Sequence, residues 1–241
     1  MRLPDFLRQR DDPTITLGDR ALPLLIRRLR HARRFTLRLT PDGTAVRVSV
    51  PWHARGAEAV AFAQSHVGWL TQQLERVPAA HGIAPGEPLA YRGQALLVIH
   101  DPASPRRPQL EPGAVRAGGT VESLPRRLRK WLEDEARRIL QQDLADYCAR
   151  AGVPLAPLAL SNANRRWGSC SARGNIRLNW RLIMAPDHVR RSVVAHEVAH
   201  LVHFDHSPRF HALLDQLYEG HMPAANRWLK REGRTLYAAF G

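Results

Sequence analysis

His196-Glu197-Val198-Ala199-His200 sets two imidazoles four residues apart, with a carboxylate directly after the first. On an α-helix, positions i and i+4 lie one above the other, so both rings can reach one metal ion. Glu197 then comes close to the ion without binding it, which is where a general base for water must stand. His203 and His206 follow, and the whole stretch reads HExxHxxHxxH. Three neutral imidazoles and one open position make the ligand set of a catalytic zinc. Structural zinc sites are usually closed by four ligands rich in cysteine.

The third ligand has to be chosen among three residues. Three ligands on one straight helix splay too far for a tetrahedral ion, so His203 is read as a helix end or as a partner behind the ligands. A histidine there tolerates the left-handed conformation that a helix end often needs. Glu219, nineteen residues after His200, is a rival carboxylate ligand. His206 is preferred, because one short turn returns it to the ion and imidazole suits zinc. The expected set is therefore one Zn2+ on His196, His200 and His206, with Glu197 catalytic.

The elements that must position these residues can be read from periodicity. Pro186 and Asp187 open the metal helix, with Asp187 as its N-cap. Ser207 and Pro208 open the next helix, whose apolar stripe is Phe210, Leu213, Leu214 and Leu217, with Gly220 closing it. A last short helix carries Trp228 and Leu229. Upstream, a long helix runs from about Leu124 to Ala151 and is stopped by Gly152 and Pro154. Leu155–Leu160 reads as a strand, and 169–179 as a turn feeding another. In zinc proteases of this plan the β-ribbon before the active-site helix offers an edge strand, which can hold an extended peptide by backbone pairing.

In the first half, Phe35, Leu37 and Leu39 alternate with polar neighbours, as do Val46, Val48 and Val50 across Thr40–Thr44. That is a hairpin. Val60, Ala63, Val67, Leu70, Leu74 and Val77 predict one helix over 57–77. A second hairpin turns at Arg92-Gly93. No repeat of fixed period is visible. The expected organisation is a loose segment over 1–20, a β-rich region with one helix over 21–120, and the catalytic region over 121–241.

Composition narrows the class. The 241 residues suffice for one large or two small domains, and 44% are hydrophobic. No run reaches the ~18 apolar residues of a membrane span. The first twelve residues are charged and lack an apolar core, so no secretory signal is visible. Cys148 and Cys170 stand outside any CxxC pair, which predicts reduced thiols and a cytoplasmic location. The formal net charge of +14 favours anionic partners, nucleic acid or nucleotide among them. All basic residues but Lys130 and Lys230 are arginine, which also fits a compositional bias.

Arg165-Arg166-Trp167-Gly168-Ser169-Cys170-Ser171, Ile176–Leu182, the His196–His200 stretch and His206-Ser207-Pro208-Arg209-Phe210 together resemble the YgjP-like metallopeptidase family, a relative of the SprT-like and WLM zinc proteases. The resemblance covers most of the chain. It implies an α+β fold with a zincin-like catalytic domain, zinc on the residues matching His196, His200 and His206, and Glu197 as acid/base. The chain departs at His211, where the family commonly carries tryptophan.

The expected function is zinc-dependent hydrolysis of a peptide or protein substrate. Arg166, Trp167, His203 and Tyr218 are offered as cleft residues, with Tyr218, His203 and nearby arginines as oxyanion partners. Two other readings stay open. One is nucleoside triphosphate pyrophosphatase chemistry, with Arg165, Arg166 and Arg181 on the phosphates. The other is a nucleic-acid-associated protein with structural zinc.

Overall fold

The computed structural model describes residues 13–40, 43–75 and 83–240. They fold as a mixed α+β chain divided into two compact units, Met1–Ala79 and Ala80–Gly241.

In the first unit, strands β1 (Thr14–Leu17), β2 (Arg20–Leu29), β3 (Thr36–Leu39) and β4 (Val46–Pro51) form one sheet in the order β1-β2-β4-β3. Val46, Val48 and Val50 are all fully buried, as their alternation predicts, beside Leu22 and Leu24 of β2. The segment over 1–20 is therefore not loose throughout. Strand β1 occupies Thr14–Leu17, and residues 1–12 lie outside the described residues. The expected helix over 57–77 is two helices, α1 (Gly56–Gln64) and α2 (Val67–Glu75). The break falls at Ser65 and His66, where Ser65 Oγ and His66 Nδ1 both bond the Phe62 carbonyl and compete with the helix ladder. Val77, the last residue of the expected stripe, lies outside the described residues.

The second unit opens with β5 (Pro88–Tyr91), β6 (Gln94–His100), β7 (Gln109–Glu111) and β8 (Ala114–Ala117), ordered β5-β6-β8-β7. Arg92 (φ 51°) and Gly93 (φ 79°) make the two-residue turn, both left-handed as a type I′ hairpin requires. Their N–H groups donate to the carbonyls of Ile183 (2.7 Å) and Met184 (3.1 Å). This sheet also shares its core with the helices that follow. The unit boundary accordingly falls at 79/80, not near residue 120, because β5 to β8 bury their apolar face against the rest of the second unit.

The two sheets are built alike. Thr14↔Pro23 and Leu24↔Val46 in the first correspond to Pro88↔Leu97 and Val98↔Val115 in the second. Antiparallel, parallel and antiparallel pairs follow in the same order. The sequence hides this repeat because the loops differ in length, so no fixed period survives.

Helix α3 (Leu124–Arg150) carries the core stripe Leu128, Trp131, Leu132, Leu140, Leu144 and Tyr147. After it, β9 (Leu158–Ser161), β10 (Gly168–Cys170) and β11 (Ile176–Asn179) form a sheet ordered β10-β11-β9, with β10 at an edge. Then come α4 (Asp187–Val202), α5 (Pro208–Leu217) and α6 (Met222–Glu232). Helix α4 packs against α3, α5, α6 and β10. Pro186 is its N-cap, and Asp187 is the first helical residue, its carboxylate held by Arg92 and Arg190 instead of by the backbone.

Helix α4 is locked to α3 by ions. Arg190 Nε donates to Asp143 at 2.7 Å, with the two side chains 3% and 7% exposed. Arg191 bonds Asp143 at 3.0 Å and Asp146 at 2.7 Å. Removing one partner of a buried pair leaves a charge without compensation. Asp143→Ala is therefore expected to lower unfolding stability by about 3–5 kcal/mol, measured by denaturant titration. A change within ~0.5 kcal/mol, the size expected of a surface site, would show that the pair does not clamp the two helices.

Candidate metal centre

Helix α4 delivers His196 and His200 one turn apart, and the short loop before α5 returns His206 to them. The ligand atoms of these three residues all lie within 4.8 Å of one another, the one such His, Cys, Asp or Glu cluster among the described residues. His196 Nε2 stands 3.2 Å from His200 Nε2 and 3.4 Å from His206 Nε2. A tetrahedral zinc with Zn–N bonds of about 2.0–2.1 Å holds its nitrogens about 3.3–3.4 Å apart. Two of the three separations match that spacing and the third stays within 4.8 Å, so the donor set suits the ion.

The tautomers agree with the distances. His200 Nδ1 lies 3.0 Å from the His203 carbonyl and donates to it, which leaves the Nε2 lone pair facing the other rings. A metal ion between the rings would be met by that lone pair. Burial, helped by His200 and His206, pushes His196 down to about 4, so its ring is neutral at pH 7. Beneath all three rings lies fully buried Phe210, with centroids 5.0, 4.5 and 4.8 Å from His196, His200 and His206. Phe210 was legible only as part of the α5 stripe. Its role as the floor of the site was missed. His211 is exposed beside it, 6.4 Å from His206.

Glu197 is 6% exposed, and burial pushes its carboxyl up to about 7 against the opposing pull of Arg166 and the Cys170 N–H. Strand β10 supplies that N–H. The Ser171 N–H donates to Asn175 and the Asn179 N–H to Trp167, so Trp167, Ser169 and Ser171 turn their backbone toward β11. Gly168 and Cys170 turn theirs the other way, and the Cys170 N–H donates to the Glu197 carboxylate. Gly168 has to be glycine. A Cβ there would stand 2.4 Å from Glu197 Oε1 and 2.6 Å from its Cγ. The stretch from Arg166 to Cys170, which had no mechanism in the sequence, is the wall against which Glu197 rests.

A cavity of about 190 Å³ opens beside His196 and Glu197, lined among others by Trp167, Gly168, Met222 and Asn226. Trp167 lines it while its ring also packs on Tyr237 at 5.8 Å. Arg166 is exposed and close enough to Glu197 to favour its ionised form. Met222 and Asn226 of α6 carried no signal of their own in the sequence.

The readings of Tyr218, Arg181 and the His203 backbone are corrected here, and the rival ligand Glu219 drops out. Tyr218 is not a cleft residue. It is 4% exposed, and its hydroxyl donates at 2.7 Å to the His188 carbonyl, eight residues and about 12 Å of helix above His196. Glu219 is not near the histidines, because Arg191, Arg150 (3.0 Å) and Tyr147 (2.8 Å) hold its carboxylate. Arg181 cannot clamp a phosphate. It is fully buried between Trp180 (4.6 Å) and Tyr237 (4.4 Å) and bonds Asn162 and the Phe240 carbonyl. His203 does end α4, but in an extended conformation (φ −129°), not a left-handed one. Its contribution is its carbonyl, not its ring.

No helix among the described residues is long and apolar enough to cross a membrane. None of the curated proteins and none of the solved structures matches the chain. The YgjP-like metallopeptidase domain matches residues 33–232, a span that takes in the histidines, Glu197 and β10. With that match, the chain belongs to the YgjP-like family of metallopeptidase domains.

Proposed function

We propose that the protein is a zinc-dependent peptidase in which His196, His200 and His206 hold the ion and Glu197 moves the proton. Family membership implies a metal. The observation that carries the reading is the convergence of three histidine side chains within 4.8 Å, with His196 Nε2 at tetrahedral spacing from the other two, beside a buried carboxylate. Zinc, when bound, acidifies water and polarises a carbonyl. Glu197 takes the proton and returns it to the leaving amine, with its carboxylate held in line by the Cys170 N–H and by the bare Cα of Gly168. An extended peptide pairs with the edge of β10 through the outward N–H and C=O of Gly168 and the C=O of Cys170. The single-side-chain size of the cavity beside it supports selection at one substrate position.

The test is zinc content together with turnover on an unfolded protein and, in parallel, on a nucleoside triphosphate. Wild type is expected to carry about one zinc per chain, the stoichiometry of one three-histidine catalytic site, and to cut the protein. His206→Ala is expected to lose the metal. Glu219→Ala keeps it, and His203→Ala keeps most of it, because the His203 backbone carbonyl that orients His200 survives the change. Zinc lost from Glu219→Ala but kept by His206→Ala would overturn the ligand set. Turnover of the triphosphate alone would overturn the substrate class.

A further inference from the structure

A second cavity, of about 590 Å³, lies between the loop before β7 and the first turns of α3. It shares no residue with the histidine site. Arg106, Arg107, Arg126, Arg127, Arg129 and Lys130 line it, against the carboxylates of Glu133 and Asp134. Both carboxylates are spoken for, Glu133 by Arg129 at 2.9 Å and Asp134 by Lys130 at 2.8 Å. Arg106, Arg107 and Arg126 are exposed and form no ion pair with a described residue. Arg127 is held in place by neutral acceptors, the Thr120 carbonyl at 2.9 Å and Ser123 Oγ, so its charge stays uncompensated.

The backbone makes room for this crowding. Gly119 sits at φ +82°, and a Cβ on it would stand 2.9 Å from Arg127 Nη1 and 3.4 Å from Arg106 Cγ. Cations gathered this way repel one another unless an anion with several acceptor oxygens lies among them. Their guanidinium forks suit phosphate oxygens better than a lysine cluster would.

Shape selects among phosphate ligands. A further cavity of about 230 Å³ shares Lys130, Glu133 and Asp134 and adds Arg137, Ser161 and Asn162. The two together make a groove along α3 instead of a bowl. Its indoles are closed to a base: Trp131 is 8% exposed and packs on Tyr91, and Trp180 is 2% exposed. A ligand read by its backbone fits, and one held by stacking does not. We propose that this groove binds the phosphodiester backbone of a nucleic acid, without reading its sequence. The proposal does not depend on the metal centre or on the peptidase reading.

The test is fluorescence anisotropy of the full chain with a labelled single-stranded oligonucleotide across a salt series. Wild type is expected to bind with a steep log–log salt slope. The Arg106→Ala, Arg107→Ala, Arg126→Ala triple variant should flatten that slope by about 2, since each lost contact to a single strand removes ~0.7. The matching triple Lys variant should keep most of it. A control triple, Arg27→Ala, Arg33→Ala and Arg38→Ala in the first unit, removes the same charge from exposed positions elsewhere and should leave the slope unchanged. Equal flattening by the control would reduce the effect to net charge and overturn the site. So would absence of oligonucleotide binding by wild type. Displacement by a free nucleoside triphosphate or by poly-glutamate at lower concentration than by unlabelled strand would assign the groove to another ligand.

Discussion

Glu197→Gln is expected to bind zinc and fold like wild type yet turn over substrate about 10²–10⁴-fold more slowly, the usual contribution of a general base. Glutamine keeps the length and hydrogen-bonding reach of the side chain but cannot accept a proton at neutral pH. The carboxylate lies outside the histidine cluster, so the metal should not notice the change. The measurements are zinc content, melting temperature and turnover on the same preparation. Full turnover by a zinc-loaded Glu197→Gln protein would mean that the proton is handled elsewhere, even with every ligand correctly assigned.

Gly168→Ala is expected to lose on the order of 10²-fold in turnover without touching a metal ligand, the scale of loss when a catalytic group moves by about 1 Å. The new methyl would fall 2.4 Å from Glu197 Oε1 and 2.7 Å from its Cδ, so the carboxylate has to swing away. Gly168 does not have a left-handed φ, so the substitution carries no backbone penalty of its own. Zinc content should be unchanged. Combining Gly168→Ala with Glu197→Gln gives the sharper result. If the methyl acts by displacing the carboxylate, the double variant is hardly slower than Glu197→Gln alone, because groups that act as one unit are not additive. Losses that multiply would show that Gly168 acts through something other than Glu197.

What the sequence made legible was local. The i, i+4 spacing of His196 and His200, the helix start at Ser207-Pro208 and the turn at Arg92-Gly93 each depend on a few neighbouring residues, and each appears in the structure. What it hid depends on distant partners. Tyr218 and Glu219 looked available because nothing near them in the chain claims them. His188, Arg191, Tyr147 and Arg150 do, from α3 and α4. The unit boundary failed for the same reason. The sequence set the β-rich region over 21–120 apart from the catalytic one, whereas two backbone hydrogen bonds from Arg92 and Gly93 tie its second hairpin to residues 183 and 184. Gly168 was the hardest to read, since its meaning is a distance to a side chain twenty-nine residues later.

The twice-built sheet lets the molecule serve as its own control. Leu17 and Tyr91 occupy the same rung of the two ladders, as do the turns Gly18-Asp19 and Arg92-Gly93. The first set makes a complete hairpin, so nothing in the ladder itself requires a tyrosine hydroxyl or an arginine at those places. In the second set the Tyr91 hydroxyl donates to Glu135 at 2.8 Å, and Arg92 reaches Asp187 at the head of the histidine helix. A Cβ on Gly93 would meet Pro186 at 2.9 Å. Subtracting one sheet from the other thus separates what a strand pairing needs from what the rest of the second unit demands of it. The remainder is three consecutive residues, Tyr91, Arg92 and Gly93, by which an ordinary hairpin becomes a bracket between α3 and the start of α4.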